Sequence, residues 1–106
     1  MPVTVHPTVA LHLPEVTITG EVRYDPRRDL LEIHHDDGET EVLSLDLTDY
    51  GLVAPPGTVW IKDWTEHVGL ADVLVMAGVV APVGSLGVGP FSSRAYLVRV
   101  LEGVAR

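Results

Sequence analysis

The chain has 106 residues, of which 46% are hydrophobic and 21% are charged, values that are typical of one globular domain. Its seven basic and fifteen acidic residues give a net charge of −8, which disfavours binding to nucleic acids and to anionic membranes. The sequence contains no cysteine, which excludes disulfides, thiolate nucleophiles, zinc fingers and iron–sulfur sites.

The sequence also bears on where the protein is found. No apolar run approaches the roughly 18 residues of a membrane-spanning helix. The N-terminal stretch lacks a basic region before its apolar residues and is interrupted by Pro7 and Pro14, so it does not have the pattern of a signal peptide. We therefore expect a soluble, cytoplasmic protein, and a cysteine-free chain fits a reducing compartment.

Two strands are predicted near the N-terminus. Residues 8–13 lie between two prolines, which favours an edge strand. Residues 15–24 alternate apolar and polar side chains, the period typical of a half-buried antiparallel strand. Gly20 falls on the apolar face of this strand, which predicts a bulge or the close approach of a neighbouring segment.

A β-hairpin is predicted from residues 30–35 and 40–47, joined by an acidic loop. A two-residue turn at Asp37-Gly38 would place the apolar residues of the two strands on opposite faces. A loop of three or five residues, with Gly38 at a positive φ, places them on one face, and we therefore predict an odd-length loop. The side chains expected to share that face are Leu31, Ile33, Leu43 and Leu45.

The second half of the chain predicts one helix between strands. Asp63 or Thr65 can cap this helix, and Gly78 ends it. The predicted elements are a connector at 48–57, a strand at 58–63, the helix at 66–77, a short strand at 79–83, a glycine-rich loop at 84–90 and a strand at 93–101. Together they predict a single α+β domain over residues 1–106, with an antiparallel, possibly mixed, sheet of about six strands and one amphipathic-to-buried helix packed on it.

The helix indicates a protein interface. Between His67 and Gly78 its only charged residue is Asp72, so that nearly every face is apolar and one sheet cannot cover the whole circumference. Val73 and Met76 lie on the part that the sheet would leave uncovered. We expect these two residues to form the interface of a two-fold homodimer, unless the connector or the C-terminal residues fold over them.

A candidate ligand-binding site lies where the 58–63 strand leads into the helix. Trp60, Lys62, Trp64 and His67 cluster there in the sequence, and two indole rings beside helix N–H groups could hold an anionic or planar ligand. An enzyme would need Asp63, Glu66 and His67 to converge with a second carboxylate in a pocket. The alternative is that the tryptophans pack, as most tryptophans do.

The remaining motifs predict no metal, cofactor or catalytic residue. His34 and His35 are adjacent in a strand, and their side chains therefore point to opposite faces and cannot bind one ion. The glycine-rich segment 84–90 has neither of the spacings of a phosphate-binding loop. No serine lies in the nucleophile motif of a hydrolase.

Three functions remain open from the sequence. The first is a non-catalytic module for protein interaction or self-association. The second is a small ligand-binding protein or enzyme with its pocket around Trp60, Trp64 and His67. The third follows from the nine carboxylates between Asp25 and Asp49, which could form a face that mimics nucleic acid and binds a basic protein, or could simply be a solvated surface.

Overall fold

The computed structural model describes residues 3–63, 68–88 and 93–105. In these ranges the chain forms nine strands, one α-helix, α1 (Leu70–Met76), and a short 3-10 helix (Thr48–Tyr50). The strands are β1 (Thr4–His12), β2 (Thr17–Asp25), β3 (Leu30–His35), β4 (Thr40–Val42), β5 (Ser44–Leu45), β6 (Thr58–Lys62), β7 (Val80–Val88), β8 (Ser93–Val100) and β9 (Val104–Ala105).

The strands form two antiparallel sheets, so the prediction of one sheet of about six strands was wrong. The first sheet has the order β4-β3-β2-β1-β9, and the second has the order β5-β6-β8-β7. The chain changes sheets at Leu43, which is buried in the core and interrupts the predicted 40–47 strand. Beyond it, Ser44 and Leu45 pair with Ile61 and Trp60 of β6 instead of with β3.

One hydrophobic core lies between the two sheets and α1. The helix buries Leu70, Ala71 and Leu74 and packs against β1, β6 and β7. The helix begins at Leu70, later than the predicted residue 66. The residue before it, Gly69, has a left-handed backbone conformation with a φ of 88° and does not belong to the helix. No helix in the described part of the chain is long and apolar enough to cross a membrane.

The predicted odd-length hairpin loop is confirmed. Ile33 lies opposite Glu41, and the N–H of His35 donates to the carbonyl of Glu39 at 2.7 Å, which leaves three residues in the loop. The last of these, Gly38, has a φ of +96°. Leu31, Ile33 and Leu43 are all buried in the main core, whereas Leu45 has moved to the second sheet, contrary to the prediction.

Strand β7 is longer than the sequence predicts. The segment 84–88, expected to be part of a loop, continues the strand because its backbone pairs with β8 from Gly84 opposite Leu97 to Val88 opposite Ser93. The register shifts between Pro82 and Gly84, where proline cannot donate an N–H to the ladder.

Candidate functional site

The structure describes two of the four predicted ligand-binding residues, Trp60 and Lys62, both on β6. Trp64 and His67 lie outside the described residues. Trp60 is only 8% exposed and packs with Leu47 and Ala95 in a small second core on the outer face of the second sheet. Trp60 therefore packs within the protein, and it also lines a cavity beneath the neighbouring connector, so its role in ligand binding stays a prediction.

The connector between β5 and β6 covers Trp60. Leu52 and Ala54 are partly buried against it, so the connector lies over the second sheet and not over Val73 and Met76. A small cavity of about 110 Å³ remains beneath this segment, with Asp46 and Thr48 among its lining residues. Asp46 accepts hydrogen bonds from the N–H and the hydroxyl of Thr48, at 2.9 and 2.7 Å, and these bonds lower the pKa of its carboxyl.

Asp63, one of the two helix caps that the sequence predicts, binds the start of α1, and the other, Thr65, lies outside the described residues. Its two carboxylate oxygens accept hydrogen bonds from the N–H groups of Gly69, at 2.8 Å, and Ala71, at 3.3 Å. Gly69 is the residue that precedes α1 and Ala71 lies in its first turn, where the N–H groups have no partner within the helix. The Asp63 carboxylate therefore caps the helix from the end of β6.

The two predicted interface residues differ in their surroundings. Val73 is partly buried and packs against the main core, whereas the Met76 side chain is 86% exposed. A groove of about 240 Å³ runs beside them between α1 and β1. We call its lining the groove patch, which consists of Ala10, His12, Val73, Met76 and Ala77.

The protein's charge is segregated along the chain. Residues 1–49 contain three basic and eleven acidic residues, which account for the whole net charge of −8. Residues 50–106 contain four basic and four acidic residues, whose charges cancel. The first segment forms β1 to β5, and the second contributes α1 and most of the second sheet. Apart from β9, the strands of the first sheet therefore come from the acidic segment, whereas α1 comes from the segment whose charges cancel.

The arginines of the acidic segment pair with nearby carboxylates. Arg23 pairs with Glu21, and Arg28 pairs with Asp25 at 3.0 Å. Desolvation acts to raise the pKa of Asp25, but the N–H of Arg27 and the guanidinium of Arg28 outweigh it, so that the pKa is lowered. These pairs are local and their arginines are solvent-accessible, so each contributes little to stability.

Glu32, His34 and Thr40 form a hydrogen-bonded series that the sequence analysis missed. His34 Nε2 lies 2.9 Å from Glu32 Oε1, and His34 Nδ1 lies 3.4 Å from the Thr40 hydroxyl. A carboxylate, an imidazole and a hydroxyl in this order are the groups of a hydrolase triad. Here they lie on the outer face of the first sheet, and neither His34 nor Thr40 lines the cavity beneath the connector or the groove patch.

The described residues provide no metal centre, since none of their His, Asp and Glu side chains form a group of three or more able to hold an ion. Comparison of the chain with models of protein families, with curated proteins and with solved structures gave no match.

Proposed function

We propose that this protein is a non-catalytic interaction module that associates with a second copy of itself through the groove patch. The observation that carries the proposal is Met76, a large apolar side chain that is 86% exposed beside an apolar groove. Single exposed apolar residues are common on protein surfaces, but Met76 adjoins Val73, Ala77 and Ala10 in one concave surface.

The distribution of charge supports a second copy as the partner. Two copies that each carry a charge of −8 repel one another when their acidic sheets face each other. No charged residue occurs between Asp72 and Arg94, a stretch that includes Val73, Met76 and Ala77. Contact through the groove patch thus brings together side chains that include no carboxylate.

The expected stabilisation is modest for each residue and is doubled by symmetry. Burial of one exposed methionine side chain contributes about 1.5–3 kcal/mol. In a two-fold dimer each contact occurs twice, because the same patch is used on both copies. The flexible Met76 side chain can also adapt to the groove of the partner copy.

Light scattering at micromolar concentration tests this proposal. We expect a dimer for the natural sequence and a folded monomer for Met76→Glu. Val53→Glu is the matched control, because Val53 is 71% exposed on the connector and receives the same new charge. A monomeric natural sequence, or loss of the dimer in the control as well, would overturn the proposal.

A second candidate function rests on the acidic first sheet. All of the net charge lies in residues 1–49, and such a surface attracts a basic protein through long-range electrostatics. Binding of a polyarginine peptide would then weaken steeply as salt is added. Binding that is insensitive to salt would exclude this electrostatic role.

A further inference from the structure

Met76 is the only sulfur-containing side chain that the structure describes. The chain has two methionines and no cysteine, and Met1 lies outside the described residues. Met76 is the last residue of α1, and its side chain is 86% exposed. A thioether does not have to lose a proton before it reacts with a peroxide, so its exposure is the main condition for oxidation. Met76 meets this condition in the monomer.

The reaction at Met76 adds one oxygen atom to the side chain. A lone pair of Sδ attacks one oxygen of hydrogen peroxide, the O–O bond breaks, and a proton shift releases the other oxygen as water. The sulfur loses two electrons to give a sulfoxide, and the same two electrons reduce the peroxide. The product is a polar side chain with a hydrogen-bond acceptor in place of an apolar one.

The effect of this change differs between a monomer and a dimer. In the monomer the oxidised side chain remains in water, and the core contacts of the helix belong to other residues, such as Leu74. In a dimer through the groove patch the sulfoxide leaves water and meets Ala10, Val73 and Ala77, whose side chains have no hydrogen-bond donor. Burial of a polar group without a partner is unfavourable. Oxidation therefore weakens the assembly and leaves the fold of the monomer unchanged.

His12 is the only polar side chain of the groove patch. Its Nδ1 lies 3.2 Å from the hydroxyl of Thr17, so Nε2 is the ring nitrogen left to bond to a sulfoxide oxygen. Nε2 can donate only when it carries a proton. One neutral hydrogen bond contributes less than the burial of a methionine side chain, so we expect oxidation to weaken the dimer even where this bond forms.

We propose that Met76 is a modification site, and that oxidation of its thioether by a peroxide converts the dimer into a monomer. This inference rests on the proposed function, because it assigns a regulation to the same groove patch. The coupling acts in both directions. Dimer formation covers the sulfur, so the oxidation of Met76 slows as the fraction of dimer rises.

The first experiment measures the dissociation constant of the dimer by light scattering before and after treatment of the full chain with hydrogen peroxide. We expect an increase of at least about tenfold. Trypsin places the two methionines in separate peptides, residues 1–23 and 63–94, so mass spectrometry shows which one is oxidised. Methionine sulfoxide reductases should then restore the original dissociation constant. An unchanged or tighter dimer with Met76 oxidised, or a loss that reduction does not reverse, would overturn the proposal.

Two variants locate the effect, and each is compared with itself before and after peroxide. Met76→Leu removes the thioether and should show no response. Met76→Leu combined with Val53→Met places an oxidisable methionine on the connector, where Val53 is 71% exposed and outside the groove patch. Peroxide should modify this new methionine without changing the oligomeric state. A peroxide-induced shift towards monomer in either variant would overturn the assignment to Met76.

The untreated protein separates this inference from the proposed dimer. A monomer before peroxide would overturn the proposed function and the inference with it, whereas a dimer that survives oxidation of Met76 would overturn the inference alone. The rate of oxidation gives an independent measurement, with N-acetylmethionine added as an internal reference. We expect the rate at Met76, relative to the reference, to fall in proportion to the monomer fraction as the protein concentration rises. A rate independent of concentration in a dimeric protein would show that the sulfur is not covered, and would overturn the proposal.

Discussion

Gly20 on β2 lies against the backbone carbonyl of His34 on β3. A Cβ added at Gly20 would overlap the carbonyl oxygen of His34 and lie 2.8 Å from its carbonyl carbon. It would also lie 3.0 Å from the Cα of His35, so that the obstruction is backbone and cannot rotate away. The glycine on the apolar face of this strand is therefore required by a close approach of β3, one of the two outcomes that the sequence predicts.

Gly20→Ala should destabilise the protein by about 1–3 kcal/mol, the usual effect of forcing an extra carbon into a packed site. The control is Gly84→Ala, since an added Cβ there meets no atom within 4 Å. Urea unfolding measures both variants. Equal stability of the two variants would show that β2 and β3 can separate without penalty.

Two residues on α1 provide a second comparison. Leu74 is fully buried and Met76 is 86% exposed, although they are only two positions apart. Leu74→Ala should lower the free energy of unfolding by about 2–5 kcal/mol, because it leaves a cavity in the core.

Met76→Ala should change the free energy of unfolding by less than about 0.5 kcal/mol in the monomer. Thermal unfolding at low protein concentration keeps dimer formation from contributing to the measurement. A large loss of stability in Met76→Ala under these conditions would mean that the side chain is covered within the monomer.

The cap supplied by Asp63 gives a third prediction. Asp63→Ala removes the acceptor for the N–H groups of Gly69 and Ala71 and should destabilise the protein by about 0.5–2 kcal/mol. Asp72 is the control acidic residue: it lies in the first turn of α1, is exposed and is not the acceptor for these N–H groups. Asp72→Ala should have the smaller effect in chemical denaturation, and the reverse order would contradict the capping role.

Tyr24 gives a prediction about alkaline pH. Burial and the negative charge of Asp29 raise the pKa of its hydroxyl above the ordinary value of 10.0, against a smaller opposing effect from the backbone of Gly57. The folded state thus holds the proton more tightly than the unfolded state does. The stabilisation that comes from the protonated hydroxyl is fully present below pH 10.0 and is lost as the pH rises through the folded-state pKa.

As the pH rises from neutral to above the ordinary tyrosine pKa, the free energy of unfolding should therefore fall less for Tyr24→Phe than for the natural sequence. Denaturant unfolding at a series of pH values measures the difference, and Tyr50→Phe serves as control because Tyr50 is 61% exposed. Identical pH profiles for the natural sequence and Tyr24→Phe would contradict the raised pKa.

The hairpin and its register could be predicted because the face on which each side chain of a strand lies follows from its position in the local sequence. Leu31, Ile33 and Leu43 can share a face only across an odd-length loop, and the structure has three loop residues. The change of sheet at Leu43 could not be predicted in the same way. The spacing of Leu43 and Leu45 is that of one continuous strand. Only the pairing of Leu45 with the distant strand β6 places it in the other sheet.

The candidate surfaces show the same limit. Met76 could be singled out because a helical wheel identifies the side that one sheet cannot cover. The packing of Trp60 depends on the connector, and the outermost position of β7 depends on which strands pair. Neither fact is contained in local hydrophobic periodicity, so neither could be predicted from the sequence.

The separation of charge between residues 1–49 and 50–106 makes the molecule an electric dipole. Near a cationic surface such a molecule experiences a torque as well as an attraction, and it turns its acidic sheet towards that surface before contact. Attachment to a cationic support would therefore favour contact through residues 1–49, and added salt would weaken both the attraction and the preference for one orientation.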